Sequence, residues 1–360
     1  MFLDQPRRHA FLPLTEAAVP TDALVRLACL GITTLDELRD QWAYGNRQLI
    51  VEFLGDSPLR FTSQRPLAGA TRGAAAGAAG QSINLQAVGM PRPLVRRPRG
   101  VLLPLAERRT PAEPPEPLAA RPPGARLPST GPPRTLAASF PPPRNQGQRG
   151  TCVAFASVAL LEYHLYDASP KTRRHAEQFV YWACKQNDGC PDAEGTLVSV
   201  ARDALRQRGA CLHKTWRYRP LPEAGNESQA PPPAGAETEA LKYLCRTVRR
   251  VAAKNPDRLR EQLDARRPVV LRVLTFPAWD YPTTADTGEI PLPIPGEMPD
   301  GGHAVCVVGY EMNDRVPGGG LFVFRNSWGA SWAKPHGRLG PGYGALPFAY
   351  VSKYGLEAFA

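Results

Sequence analysis

The chain has 360 residues, with 44 Lys and Arg against 33 Asp and Glu, a formal net charge of +11, 40 prolines and 32 glycines. That length accommodates two domains and a linker, and the proline and glycine load implies that part of the chain does not fold. No apolar run reaches the ~18 residues that span a bilayer, and the first twenty residues lack the apolar core of a signal peptide, so a cytoplasmic protein without membrane association is expected.

The charge is unevenly placed. Residues 1–62 carry 6 basic and 8 acidic side chains, residues 63–139 carry 11 and 3, and the remainder 27 and 22. The excess therefore lies mostly in the central stretch, where the Arg, Ala, Pro and Gly bias reads as GC-rich codon usage. A basic tract adheres to phosphates through counterion release, but nothing else in it points to nucleic acid as a partner.

Residues 1–62 read as a small helical module. Thr21 is placed to cap a helix carrying Leu24, Val25, Leu27 and Ala28, which Gly31 ends. Thr34 opens a second helix, with Glu37 three positions on as a capping box. The segment LACLGITTLDELRD resembles the short unit of helix-hairpin-helix modules, and its net negative charge favours a protein partner over a phosphate backbone. Residues 63–135 form a low-complexity linker. ATRGAAAGAAG cannot hold a core, and TPAEPPEPLAARPPGARLPSTGPP favours extended, polyproline-like backbone. Between them, SINLQAVGM and GVLLPLAE could supply strands or a docking segment; otherwise the stretch is a tether.

From residue 136 the pattern changes. RNQGQRGTCVAFASVALLEYH packs Gln146, two glycines and Cys152 ahead of a run apolar on nearly every face, which predicts a buried helix with the thiol at its N-terminus. There the helix dipole and free backbone N–H groups favour thiolate, so a depressed pKa is expected for Cys152. Leu197, Val200, Ala201, Ala204 and Leu205 have helical spacing, Leu221–Ala240 reads as a surface insertion, and Asn255-Pro256 starts a short helix. The strand VVLRVLTF follows. In GGHAVCVVGY, His303 opens an apolar strand after a double glycine; in LFVFRNSWGASW, Asn326 ends another and precedes Trp328. Together these residues supply a thiol nucleophile, an imidazole base, an amide to orient it and, in Gln146, a donor for an oxyanion.

The order Gln, Cys, His, Asn, within QGxxGxCxAFA, GHAVxxVGY and NSWGxxW, resembles the papain family of cysteine peptidases from about Phe140 to Tyr350. The resemblance implies an α+β, two-lobed fold over residues 136–360, with a helical lobe and a β-barrel-like lobe meeting at a cleft. It makes Cys152 the nucleophile, His303 the general base and acid, Asn326 its orienter and Gln146 part of the oxyanion hole. It also places Gly195, Gly302 and Trp328 on the substrate-binding walls, with Trp328 shielding the His303–Asn326 hydrogen bond. The implied activity is endopeptidase cleavage of peptide or protein substrates without a cofactor. The same groups would serve acyl transfer or ligation, and an inactive copy would be a peptide-binding scaffold. Thr151, Val153 and Arg149 stand where familiar members carry Ser, Trp and Cys, and Ala333 replaces a glycine, which points to a divergent, bacterial-type branch. The long charged and aromatic helix of the family's inhibitory prosegment is not recognisable. The other six cysteines are read as reduced; Cys184, Cys190 and Cys211 lack the CxxC or HxxxH spacing of a metal site.

Overall fold

The structure is a computed structural model, and it describes residues 13–14, 19–55, 92–103, 105–116, 134–166, 173–334 and 337–360. Among these, the helices in chain order are α1 (Thr21–Cys29), α2 (Leu35–Tyr44), α3 (Arg47–Leu54), α4 (Leu105–Arg108), α5 (Cys152–Tyr166), α6 (Glu177–Lys185), α7 (Val198–Gln207), α8 (Ala236–Ala240), α9 (Pro256–Asp264), α10 (Pro282–Thr287) and α11 (Phe348–Tyr354). The strands are β1 (Arg134–Thr135), β2 (Arg250–Val251), β3 (Val269–Thr275), β4 (Gly301–Met312), β5 (Gly320–Arg325), β6 (Tyr343–Pro347) and β7 (Gly355–Phe359).

Helix α5 begins at Cys152, and every residue from Cys152 to Tyr163 is buried, as a surface that is apolar except at Ser157 and Glu162 requires. Helices α6 and α7 pack against it to form one lobe. The other lobe is an antiparallel sheet in the order β2-β7-β3-β4-β5-β6, with β1 on the far end of β4. Strand β3 is buried at all seven positions, which explains why its sequence shows no alternation of polar and apolar residues. It pairs with β4 so that Val273 faces His303. Helix α5 also packs on β4, and this contact joins the lobes and brings the start of α5 to the start of β4. Asn255 caps α9 by accepting from the Asp257 and Arg258 amides, with Pro256 at the first helical position.

The N-terminal helices are docked on the sheet lobe. Leu27, Leu30, Ile32, Leu38 and Ile50 join the same hydrophobic cluster as the sheet. The Leu292 amide donates to Leu30 O at 2.8 Å, and the Thr283 amide donates to the buried Asp40 carboxylate at 2.9 Å. The Thr34–Glu37 capping box forms as expected, whereas α1 starts on Thr21 itself, with Pro20 at the cap position and no side-chain cap. Part of the stretch read as a linker is packed: residues 92–103 and 105–116 lie against both lobes, as described below. Ala333 holds φ at 56°, the left-handed region that a glycine there would accept without strain. Replacing Asp40 with Ala leaves the Thr283 amide buried without an acceptor and should lower stability by about 1–3 kcal/mol; an unchanged urea midpoint would mean that the docking of α2 contributes little.

Candidate active site

The loop before α5 is clamped by arginines. Arg144 bridges Glu162 of α5 at 2.5 Å and Glu177 of α6 at 2.6 Å, while its carbonyl accepts from the Gly329 amide at 3.0 Å. The Gln146 amide donates to Ser327 O at 2.8 Å, so residues 144–146 are stitched to the loop after β5. The Gln146 side chain is fixed at both ends. Its Oε1 accepts from Ser327 Oγ at 2.5 Å, and its Nε2 donates to Arg149 O at 2.8 Å. That leaves the second Nε2 hydrogen as the one available to an acceptor outside the loop.

His303 and Asn326 come together across β4 and β5. His303 Nε2 lies 2.9 Å from Asn326 Oδ1; a carbonyl oxygen only accepts, so Nε2 carries the hydrogen and Nδ1 is the basic nitrogen. Nδ1 is buried without a hydrogen-bond partner among the described residues. Trp328 stacks on the imidazole, with ring centroids 4.7 Å apart and planes at 28°, and Trp279 meets its edge. The Ala304 amide, next in chain after His303, donates to Cys152 Sγ at 3.4 Å. The structure thus brings Cys152, the His303 strand, Asn326, Gln146 and Trp328 into one place.

A segment of the expected linker crosses this place. The Gly100 amide donates to Cys152 Sγ at 3.2 Å, and Pro98 O accepts from Gln146 Nε2 at 3.1 Å. Val101 pairs in parallel with Thr196: the Thr196 amide donates to Gly100 O at 3.1 Å and the Leu102 amide to Thr196 O at 3.3 Å. Gly195 and Gly302, expected on the substrate-binding walls, face this strap, since a Cβ on Gly195 would meet Gly100 and one on Gly302 would meet Val101 and Leu103. The strap is held at both ends. Tyr44 of α2 bonds to Arg92 O, Arg272 of β3 donates to Leu102 O at 2.7 Å, and Ala112 pairs with Gly296 and Glu297. Gly100 is the tightest point, because a Cβ there would lie 1.8 Å from Gly150 O.

Residues 127–338 match the papain family cysteine protease family. The chain belongs to the papain family of cysteine proteases. It is 25% identical over 223 residues to an uncharacterised peptidase C1-like protein of Acanthamoeba polyphaga mimivirus, covering 59% of this chain and 67% of that one. It is 27% identical over 195 residues to a viral cathepsin of a Cydia pomonella granulosis virus, covering 54% of this chain and 51% of that protein, so it spans about half that relative's length. Among solved structures, xylellain, a cysteine protease from Xylella fastidiosa, aligns with a TM-score of 0.54 at 23% identity over 74% of this chain and 98% of that one, a likeness of fold.

The electrostatics of this papain-family site differ from the expectation for a thiol at a helix start. Burial beneath the strap pushes Cys152 up to about 11, outweighing the four backbone N–H groups that favour thiolate. Burial likewise drives His303 down to about 3, against the opposing hydrogen bond to Asn326. With Gly100 over the sulfur, both groups are held neutral.

The roles of two supporting residues escaped the sequence reading. Arg149, only 1% exposed, donates to Gln178 at 2.7 Å, to Glu227 O at 2.8 Å, and to Arg219 O and Gln229 at 3.1 Å, while its guanidinium lies over Tyr181 and Tyr218. Part of the expected surface insertion is therefore buried: Gln229 is 2% exposed, because the segment folds back to satisfy this arginine. Ser327 orients Gln146. Its position inside NSW was visible, but its partner lies 181 residues away in sequence.

Two measurements test the covered state. Overpacking at Gly100 should cost ~1–3 kcal/mol, so Gly100→Val should raise the rate of Cys152 alkylation by iodoacetamide about ten- to hundredfold; an unchanged rate would mean that the strap does not shield the sulfur. The pH dependence follows from the two shifts. Cys152 is raised from its ordinary value of 9.0, so its contribution to the closed state is complete below 9.0 and is lost as pH rises through about 11. His303 is depressed from 6.5, so its contribution is present above 6.5 and is lost as pH falls toward 3. Protection of Cys152 should therefore be greatest between these limits and fall on acidification; a loss of protection confined to alkaline pH would contradict the His303 assignment.

Proposed function

We propose that this chain is a cysteine endopeptidase that cleaves peptide bonds through a Cys152–His303–Asn326 triad and is latent while the strap lies in the cleft. The observation that carries the reading is the approach of β4 to the sulfur: Ala304 donates to Cys152 Sγ, and the preceding residue, His303, has its Nε2 held by Asn326 and its Nδ1 free to accept a proton.

Once the strap leaves, water and substrate replace Pro98 O and the Gly100 amide. The Cys152 proton passes to His303 Nδ1, and the thiolate attacks the scissile carbonyl carbon. The carbonyl oxygen, now an oxyanion, takes the place of Pro98 O on Gln146 Nε2, with the helix N-terminus adding its dipole. The tetrahedral intermediate collapses, the C–N bond breaks, and the leaving amine takes the proton from His303. The resulting thioester is hydrolysed by water that gives a proton to His303, and the carboxylate product departs as Cys152 recovers its proton. Asn326 keeps the imidazole in the tautomer that permits both transfers, and the Trp328 ring excludes water from the hydrogen bond that holds it.

In an uncovered chain, Cys152→Ala should abolish peptide hydrolysis and labelling by an electrophilic epoxide. Gln146→Ala should lower kcat by about 10²–10³ while labelling persists. Hydrolysis retained by the purified Cys152→Ala chain would overturn the assignment. Mass analysis of products formed with added amines separates hydrolysis from acyl transfer, since only transfer yields the new amide as the main product.

A further inference from the structure

The strap crosses the cleft by matching arginines to carboxylates. Arg99, next to the glycine over the sulfur, has a side chain only 10% exposed. Its Nη2 lies 2.7 Å from Asp280 Oδ2, and its Nη1 bonds to Asp300 and, at 2.9 Å, to Thr275 Oγ1. Thr275 in turn donates to Asp300 at 2.9 Å, so the two acids and the hydroxyl form a preset cradle for a planar fork of N–H donors. Asp280 also accepts from the Arg97 amide at 3.3 Å, and the Arg97 guanidinium lies over Trp328 at 5.3 Å. Farther along, Arg92 pairs with Asp286. Three acids on one wall of the cleft are each answered by the strap.

These acids lead into a cavity. A space of about 330 Å³ opens beside the strap, lined by Arg92, Arg97, Asp280, Asp286, Trp328 and Trp332. Trp328 and Trp332 line this space with their rings, while their Nε1 atoms are buried without an acceptor among the described residues. A peptide with a basic side chain supplies the cation that these acids take from the strap. With the strap in place, burial raises the Asp280 carboxyl while Arg99 pulls it back down, so the cation in this cradle is what favours its ionised form.

We propose that Asp280, Asp300 and Thr275 form a recognition pocket for an arginine or lysine side chain of the substrate, on the Trp328 side of the scissile bond, which the strap fills with Arg99 until it is displaced. This rests on the peptidase reading above and adds its substrate class: basic peptides. Asp286 and the two indoles extend the same wall along the bound chain. The strap then competes with substrate through the same side-chain chemistry, and a peptide lacking a basic residue competes poorly against it.

Two arms test this in the full chain carrying Gly100→Val, which displaces the strap. In the first, a fluorescent peptide copying residues 92–103 is compared with one in which citrulline, the neutral isostere, replaces the arginine equivalent to Arg99. The arginine peptide should bind at least about tenfold more tightly, and the preference should fall toward parity in both Asp280→Asn and Asp300→Asn; Asp300 is the more exposed of the two, which guards against loss of folding at the buried site. Equal binding of the two peptides, or a preference that survives both substitutions, overturns the pocket. In the second arm, a peptide library should show Cys152-dependent cleavage enriched for Arg or Lys at one position, with the enrichment lost in Asp280→Asn. Cleavage without basic preference overturns the proposal while leaving the peptidase reading intact. Absence of any cleavage overturns the peptidase reading, and the binding arm still decides the pocket.

Discussion

The sulfur of Cys152 sits where three parts of the chain meet, and its environment sets the state of the molecule. It opens a helix whose apolar residues bury it, the sheet lobe reaches it through the Ala304 amide, and the strap closes over it through Gly100. Removing water from a thiol raises the energy of the thiolate more than a few N–H donors recover, so the same helix start that would activate the sulfur in an open cleft keeps it protonated in the closed one. Activation on this account is a change of solvent around an already assembled site.

That assembly depends on buried charge. Arg144 ties the loop of Gln146 to the helical lobe through two carboxylates, and Arg149 ties the same loop to the 217–229 segment through carbonyl and amide oxygens. A buried guanidinium is tolerated when its donors are satisfied and it lies over aromatic faces, and Arg149 has both forms of support. The resemblance expects a cysteine at this position, so a polar hub here holds the loop between Gln146 and the nucleophile. On the strap the same chemistry recurs, with arginines that pair with Asp280, Asp286 and Asp300 and are carried on a segment anchored at its ends.

The candidate residues that the structure brings together were legible in the sequence because each carries local punctuation. Glycines and a solid apolar run mark Cys152, a double glycine before a strand marks His303, and NSW after a strand marks Asn326. Helix α5 starts on the residue expected, and the β-rich second half forms the sheet. The strap was not legible as a strap. RRPRGVLL lacks helical or alternating periodicity, and its order comes from the cleft, through pairing with Thr196 and contacts to acids about 180–200 residues away. GVLLPLAE stood out only as an apolar island in a proline-rich stretch. The expected low pKa of Cys152 failed for the same reason: helix polarity can be read from sequence, whereas burial by a distant segment cannot.

The central claim is that, once uncovered, the sulfur is ionised by the imidazole of the opposite lobe. The most direct measurement is the pH dependence of Cys152 alkylation in the full Gly100→Val chain, with and without His303→Ala. The account predicts substantial reactivity extending well below the ordinary thiol pKa of 9.0, lost when His303 is removed. A single rise through the ordinary thiol value, the same in both chains, would contradict it.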